Sequence, residues 1–303
     1  MRIAYLGTSE FAAGILRVLT DSSQPPALVV TRPDRPRGRG RRVAAPPVAL
    51  AAVELGLPLA QPASVNDEDA RAQLAATAPD ALVVCAFGAL IKEPLLSDYE
   101  VLNVHPSLLP RWRGAAPIER AIMAGDAQTG VCIMRLTAGL DTGPVARRGS
   151  IEIAADDTFA TLSQRLQGLA GELLLDALAA GLGGLDFIEQ SQAGVTYAEK
   201  IAPEDRILTG EEDADTAARR VRALTPHIGA AVTLSDDTRL GVRAAHARPA
   251  DAENGDPSPG EVGFDGVAPV LGCAGQTVLV LDEVQPAGGK AMKGAAYLRG
   301  RRS

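Results

Sequence analysis

Aromatic side chains make up only 3% of the 303 residues, with a single Trp, so the core must be built from Leu, Val, Ile and Ala. Cysteine is nearly as scarce. Cys85, Cys132 and Cys273 lie far apart, mostly inside apolar runs, the pattern of buried thiols in a reducing compartment rather than of a disulfide framework. Neither these thiols nor the three histidines fall at metal-ligand spacing, and no metal is expected. The opening Met-Arg-Ile-Ala-Tyr-Leu-Gly reaches Gly7 too soon for a signal-peptide core, and no apolar run is long enough to span a bilayer. The expectation is a cytoplasmic, soluble protein with no membrane partner. A G-x-G-x-x-G fingerprint is also missing after the first apolar run. Glu10 stands at the helix start where a pyrophosphate would sit, which argues against a nicotinamide cofactor.

The length is enough for two domains. Hydrophobic (46%) and charged (22%) fractions are those of an ordinary globular protein. A net charge of −7 argues against a protein that coats nucleic acid non-specifically, but it hides a local concentration of the opposite sign. Arg32, Arg35, Arg37, Arg39, Arg41 and Arg42 crowd one stretch of an otherwise acidic chain. Such clustering builds a focused field.

Short apolar runs alternate with helical periodicity through the first half. Residues 2–7 read as a strand, followed by a tight turn and a helix through Phe11, Ile15, Val18 and Leu19. Residues 27–31 read as a second strand. Residues 32–42 read as a loop of Arg, Gly and Pro without apolar periodicity. Helices over 48–55 and 67–76 bracket a brief strand at 59–61. Continuous apolar runs at 81–86 and 101–104 suit strands covered on both faces. Two more strands, 129–136 and 145–153, flank Gly139 to Pro144. Asp156 or Asp157 then caps a long helix with Leu162, Leu166, Leu169, Leu173 and Ala177 on one face, ending at Gly181. This alternation predicts an α/β domain with a mostly parallel sheet. Near residue 200 the texture changes. One helix at 215–224 is followed by short β-like runs at 230–234, 238–246, 260–264, 268–273 and 276–284, as in a small sandwich or barrel, with a flexible polar loop at 249–260.

The chemistry-bearing residues concentrate between Asn103 and Ile118, a stretch that holds the only Trp, one of the three His, three Pro and two Arg. Pro106 and Pro110 rule out a buried strand there, and Pro117 suits a first helical turn. The stretch reads as a strand end opening into a shaped loop. On an extended backbone Asn103 and His105 share a face, at the carboxyl end of a strand where open α/β sheets place their ligands. An Asn amide can stabilise a developing oxyanion, and a His can share protons near neutral pH. Asp141, between Gly139 and Gly143, is the candidate to orient that His or take the proton. Spacing alone leaves two readings open, an acyl-transfer site or ordinary turn chemistry. Trp112 is placed either to stack on a ligand or to cover an apolar edge, and His227 and His246 read as structural or exposed.

Asn103-Val-His-Pro-Ser-Leu-Leu-Pro-Arg-Trp-Arg-Gly-Ala-Ala-Pro-Ile118, followed by Gly139-Leu-Asp-Thr-Gly-Pro144, closely resembles the signature of the 10-formyltetrahydrofolate-dependent formyltransferases. Co-linear matches extend over nearly the whole chain: Gly7-Thr-Ser-Glu-Phe11, Pro33-Asp-Arg-Pro36, Gly38-Arg-Gly40 and Gln285-Pro-Ala-Gly-Gly-Lys-Ala-Met292. The resemblance is greatest to members that formylate methionyl-tRNA. It implies a Rossmann-like catalytic domain at residues 1–188, a linker at 189–205 and an OB-like β-barrel, tRNA-binding domain at 206–303. It implies Asn103, His105 and Asp141 as the catalytic set and 10-formyltetrahydrofolate as formyl donor. The donor would lie along Ser107, Leu108, Leu109 and Pro110 and against Phe87, Gly88 and Leu90. The implied acceptor is methionyl initiator tRNA. Arg35, Arg37, Arg39, Arg41 and Arg42 of an inserted loop would contact it, together with Lys290 and Lys293 of the second domain, where Arg299, Arg301 and Arg302 add basic charge. A monomer is expected.

Relatives sharing the Asn-x-His and Asp set formylate other amines. Glycinamide ribonucleotide formyltransferases lack a second domain. Sugar-nucleotide formyltransferases, which would act on an amino-sugar nucleotide, are not expected to carry the Arg-rich loop. The hydrolase domain of formyltetrahydrofolate dehydrogenase would continue into a dehydrogenase. A non-catalytic tRNA-binding protein would leave Asn103, His105 and Asp141 unexplained.

Overall fold

A computed structural model describes residues 1–22, 24–37, 42–251 and 255–301. In chain order the first half contains β1 (Ile3–Gly7), α1 (Glu10–Asp21), β2 (Leu28–Val30), β3 (Arg35–Arg37), β4 (Arg42–Ala44), α2 (Pro47–Glu54), β5 (Leu59–Ala60), α3 (Glu68–Ala76), β6 (Ala81–Cys85), α4 (Leu95–Asp98), β7 (Glu100–His105), β8 (Arg113–Gly114), α5 (Pro117–Ala124), β9 (Gln128–Arg135), β10 (Val145–Glu152) and α6 (Phe159–Ala180). The second half contains β11 (Tyr197–Ala198), α7 (Ala214–Leu224), β12 (Ala230–Thr233), β13 (Arg239–Pro249), β14 (Val262–Phe264), β15 (Pro269–Cys273), β16 (Thr277–Pro286), β17 (Met292–Lys293) and α8 (Gly294–Arg301).

Two compact units are present. The first comprises Met1–Gly114, Thr129–Ile151 and Ser163–Tyr197; the second comprises Ala115–Gln128, Glu152–Leu162 and Ala198–Ser303. The chain therefore passes between them more than once, and α5 groups with the C-terminal residues.

The first unit is built on a seven-stranded sheet ordered β10-β9-β7-β6-β1-β2-β5. From β7 to β5 all neighbours are parallel, while β9 runs antiparallel to β7. The unbroken apolar runs in β1 and β6 are explained by burial at every position. Ala4, Leu6, Val30, Leu82 and Val84 form the centre of an apolar cluster with Leu74 and Leu95. Helix α1 starts where Ser9 accepts the Ala12 N–H at 3.2 Å, a cap worth about 0.5–2 kcal/mol. Within the stretch expected to be a loop at 32–42, residues 35–37 form instead a strand, β3, that pairs antiparallel with β4, Arg35 opposite Ala44 and Pro36 opposite Val43; residues 38–41 lie outside the described residues.

In the second unit α7 lays Ala217, Val221 and Leu224 against an antiparallel sheet ordered β12-β13-β16-β15-β14, with β17 added to β16. Register shifts along β13, between Val242 and Ala244 and again before His246, bend the sheet into an OB-like half-barrel. Asp213 caps α7 by accepting the Thr216 N–H at 2.8 Å. On α5, Arg120 grips Asp205 through both nitrogens at 3.0 and 2.8 Å, and this pairing holds the Asp205 carboxyl below its usual range. In the polar stretch expected to be a loop at 249–260, Asp256 pairs with Arg248 at 2.6 Å; residues 252–254 lie outside the described residues.

Candidate active site

Strand β7 carries Asn103 and His105 on one face, as the spacing of two requires. Their neighbours fix the depth of the strand end: Asn103 stands beside Val84 of β6, and His105 opposite Cys132 of β9. Asp141 arrives on the irregular segment between β9 and β10. All three are buried, with relative exposures of 7%, 4% and 9%. Asn103 Nδ2 lies 3.4 Å from Asp141 Oδ1, and His105 Nδ1 lies 3.6 Å from Asp141 Oδ2. The residues read as a catalytic set from sequence are therefore brought together.

Main-chain groups complete the arrangement. The Gly114 N–H donates to Asp141 Oδ2 at 2.8 Å. His105 Nε2 lies 2.9 Å from the Trp112 carbonyl oxygen. A carbonyl only accepts, so Nε2 carries hydrogen and the other ring nitrogen faces Asp141. Two non-glycine residues here adopt left-handed backbone conformations, Trp112 at φ +64° and Asp141 at φ +49°. Such conformations cost on the order of 1–3 kcal/mol each and collect at functional sites. Asp tolerates this region better than most residues; a bulky Trp does not. Trp112 is pinned there by its own N–H, which donates to Thr196 Oγ1 at 2.9 Å. The Arg111 guanidinium lies 4.2 Å from the centre of its ring, while the Trp112 carbonyl faces His105. Gly143 is required for packing, because a Cβ there would fall 2.0 Å from the Arg135 carbonyl oxygen.

Gln190, buried beneath this segment, donates to the carbonyls of Asp141 and Gly143 and accepts from Arg113. Sequence reasoning missed Trp112 O, Gly114 N–H, Arg113 and Gln190. Main-chain groups carry no residue-type signal, and Gln190 lies in a polar stretch read as linker.

The candidate donor contacts divide by exposure. Ser107 is fully buried and its hydroxyl donates to the Arg111 carbonyl at 2.7 Å, while its N–H donates to the His105 carbonyl at 2.9 Å. Leu109 packs with Cys132, Met134 and Val145, and Phe87 belongs to the sheet's apolar cluster. These three can offer a ligand main-chain groups and shape, not free side chains. Leu108 and Pro110 are half-buried. Gly88 takes φ +69° and its carbonyl accepts from Arg32 at 3.0 Å, while Leu90 is 66% exposed. A segment with an exposed apolar side chain and accessible main chain is the kind of surface that fits a flat, polar-edged ring system.

Arg35, Lys290, Lys293 and Arg299 are exposed. Arg39, Arg41 and Arg302 lie outside the described residues, and Arg37, Arg42 and Arg301 are described as backbone alone. His227 stacks on Phe159 at 3.7 Å and faces Glu119 at 3.0 Å; His246 faces Asp282 at 2.8 Å. Neither joins the site. Burial raises the Cys85 thiol to about 12, which removes it as a nucleophile. Among the described residues no group of His, Cys, Asp and Glu is arranged to hold a metal ion, and no helix is long and apolar enough to cross a membrane.

The arrangement offers an amide donor, an imidazole and a carboxylate around one point, the equipment for attack of an amine on a carbonyl. Family comparison decides which carbonyl chemistry this is. A profile described as "Formyl transferase" matches residues 1–178, and one described as "Formyl transferase, C-terminal domain" matches residues 200–302. The chain belongs to the formyl transferase family. Its similarity to a methionyl-tRNA formyltransferase of Stenotrophomonas maltophilia is 44% identity, covering 100% of this chain and 98% of that protein. A methionyl-tRNA formyltransferase of Methylococcus capsulatus is 43% identical, over 98% of this chain and 96% of the relative. Among solved structures, a Helicobacter canadensis N-formyltransferase in complex with folinic acid and dTDP-3-aminofucose shares the fold. Its TM-score is 0.66 at 12% identity, over 93% of this chain and 98% of that one. HypX from Aquifex aeolicus, in complex with tetrahydrofolic acid, gives a TM-score of 0.64 at 18% identity, over 98% of this chain and 47% of that one.

Proposed function

We propose that this formyl transferase moves a formyl group from 10-formyltetrahydrofolate to the α-amine of methionyl initiator tRNA. The observation that carries the acceptor is similarity at 43–44% identity to methionyl-tRNA formyltransferases along essentially the whole chain, both matched regions included. The likeness to the Helicobacter canadensis N-formyltransferase, at 12% identity, speaks for the fold alone.

When bound, 10-formyltetrahydrofolate supplies an activated formyl carbon. Asn103 has two amide hydrogens, and only one is directed at Asp141, at 3.4 Å, so the second is available to the oxygen on which charge develops. The Asp141–His105 pair takes the proton that the attacking amine sheds as the new C–N bond forms, and returns a proton to the folate nitrogen as its bond to the formyl carbon breaks and tetrahydrofolate leaves. The Trp112 carbonyl keeps the imidazole turned toward Asp141 throughout. The acceptor amine is itself the nucleophile, so no side chain of this protein forms a covalent bond. Ser107 to Pro110 and Phe87 to Leu90 bound the donor's seat. The Arg-rich segment at 35–42 and Lys290 and Lys293 supply sequence-tolerant phosphate contacts to the tRNA. In this reading residues 1–188 form the catalytic domain, 189–205 the linker and 206–303 the tRNA-binding domain; the protein acts in the cytoplasm, as a monomer.

Formyl transfer from 10-formyltetrahydrofolate to methionyl initiator tRNA, run beside amino-sugar nucleotide and water arms, tests this directly. Formylmethionyl-tRNA should be the principal product. Faster formylation of the amino sugar, or hydrolysis without transfer, would overturn the assignment.

A further inference from the structure

Gln190 is 8% exposed, and every hydrogen-bonding position of its amide is taken. Nε2 donates to the Asp141 carbonyl at 2.8 Å and to the Gly143 carbonyl at 2.7 Å. Oε1 accepts from Arg113 Nε at 3.1 Å and Nη2 at 2.8 Å. The two carbonyls can only accept and the guanidinium can only donate, so the amide has one possible orientation. Arg113 is itself buried, at 5% exposure, and stands between the two residues whose main chain holds the site. On one side the Trp112 carbonyl receives His105 Nε2; on the other the Gly114 N–H meets Asp141 Oδ2. The contacts close a circuit: Asp141 side chain to Gly114, Arg113 side chain to Gln190, and Gln190 back to the Asp141 main chain.

We propose that Gln190 is a positioning residue for Asp141, oriented by Arg113. The claim rests on the formyl-transfer reading above. Asp141 sits at φ +49° on a segment without helix or strand, so nothing in regular secondary structure fixes the direction of its carboxylate. The two Gln190 donors seize the carbonyls on either side of Thr142 and so set that turn. Gly143 allows it, because only glycine fits against the Arg135 carbonyl. Loss of these donors would release the turn while leaving β7, and with it Asn103 and His105, in place. Misplacing a reacting group by about 1 Å costs on the order of 10²-fold in rate.

Gln190→Glu separates positioning from folding. It preserves size and keeps an acceptor for Arg113, but it removes both N–H donors and sets a carboxylate oxygen against two carbonyls. Gln190→Asn removes reach without adding charge. The expected result in both is a kcat lower by about tenfold to a hundredfold, with KM for each substrate within about threefold of wild type. Gln190→Glu should still melt cooperatively, below wild type because two buried hydrogen bonds are lost, and hydrogen exchange in the peptide covering residues 138–143 should quicken beyond any global change. An unchanged kcat, or a kcat loss with exchange in that peptide no faster than the global change, would overturn the proposal. Failure of the wild-type protein to formylate methionyl-tRNA would count against the proposed function instead. Exchange at 138–143 in Gln190→Glu would then decide alone whether Gln190 holds Asp141: faster supports it, unchanged overturns it.

Discussion

Asp141 is held by its carboxylate, through Gly114, and by its main chain, through Gln190, while its backbone stays left-handed. Asn is the other residue that tolerates this conformation, and its side-chain oxygen can still accept from Gly114. Asp141→Asn therefore removes the charge and the proton acceptor, and sets an amide nitrogen in place of the oxygen that faces Asn103 Nδ2. In steady-state assays kcat should fall by on the order of 10²–10⁴, the usual weight of a general acid–base group, while donor affinity measured by fluorescence titration changes far less. A defect confined to binding would contradict a catalytic role. At this scale the sequence was informative where side chains do the work. Asn103 and His105 announced a shared face by their spacing, and Asp141 was legible through its glycine-flanked segment and the resemblance. What it could not announce are the Trp112 carbonyl and the Gly114 N–H, because every residue type but proline offers those groups. The identity of residue 112 is informative about neither its carbonyl nor its φ of +64°.

Elements show the same division between patterned and unpatterned interactions. Most helices and strands with apolar periodicity fall within a residue or two of their expected bounds, because burial on one face is what both the pattern and the fold record; β13, expected at 238–246, runs on to Pro249. The long helix α6 differs in detail. Its buried stripe runs through Leu162, Leu166, Ala170, Leu174 and Ala177, leaving Leu169 and Leu173 half-buried. At its start the Thr161 N–H reaches Thr158 Oγ1 at 3.4 Å, whereas Asp157 accepts from the Ala154 N–H and the Thr161 hydroxyl at 2.8 Å each. A row of candidate capping residues does not say which of them leaves the helix first. The β3–β4 pair was hidden for another reason. It is held by main-chain pairing of arms dominated by Arg and Pro, with no apolar alternation to reveal it. Arginine is the residue type best suited to bidentate phosphate contacts, and this stretch is rich in it. Arg37→Ala with Arg39→Ala should weaken tRNA binding and flatten the slope of log K against log salt by about 1–2 units, as expected for loss of two phosphate contacts. An unchanged slope in filter-binding titrations would remove this Arg-rich stretch from the interface.

For the whole molecule, the change of texture near residue 200 anticipated a β-rich C-terminal region with one helix, but not that α5 and residues 152–162 would group with it. Sequence patterns are local, whereas compact units are defined by contacts distant in the chain. The proposed function assigns the chemistry to the cluster at the end of β7. Single-turnover formyl transfer at saturating donor and methionyl initiator tRNA isolates the chemistry from binding. Comparing wild type with Asn103→Ala under these conditions is the most direct test that the cluster is catalytic. The account predicts a rate lower by on the order of 10²–10³, the cost of losing one oxyanion donor, with the variant still folded and binding donor. A near-normal rate in that variant would contradict it.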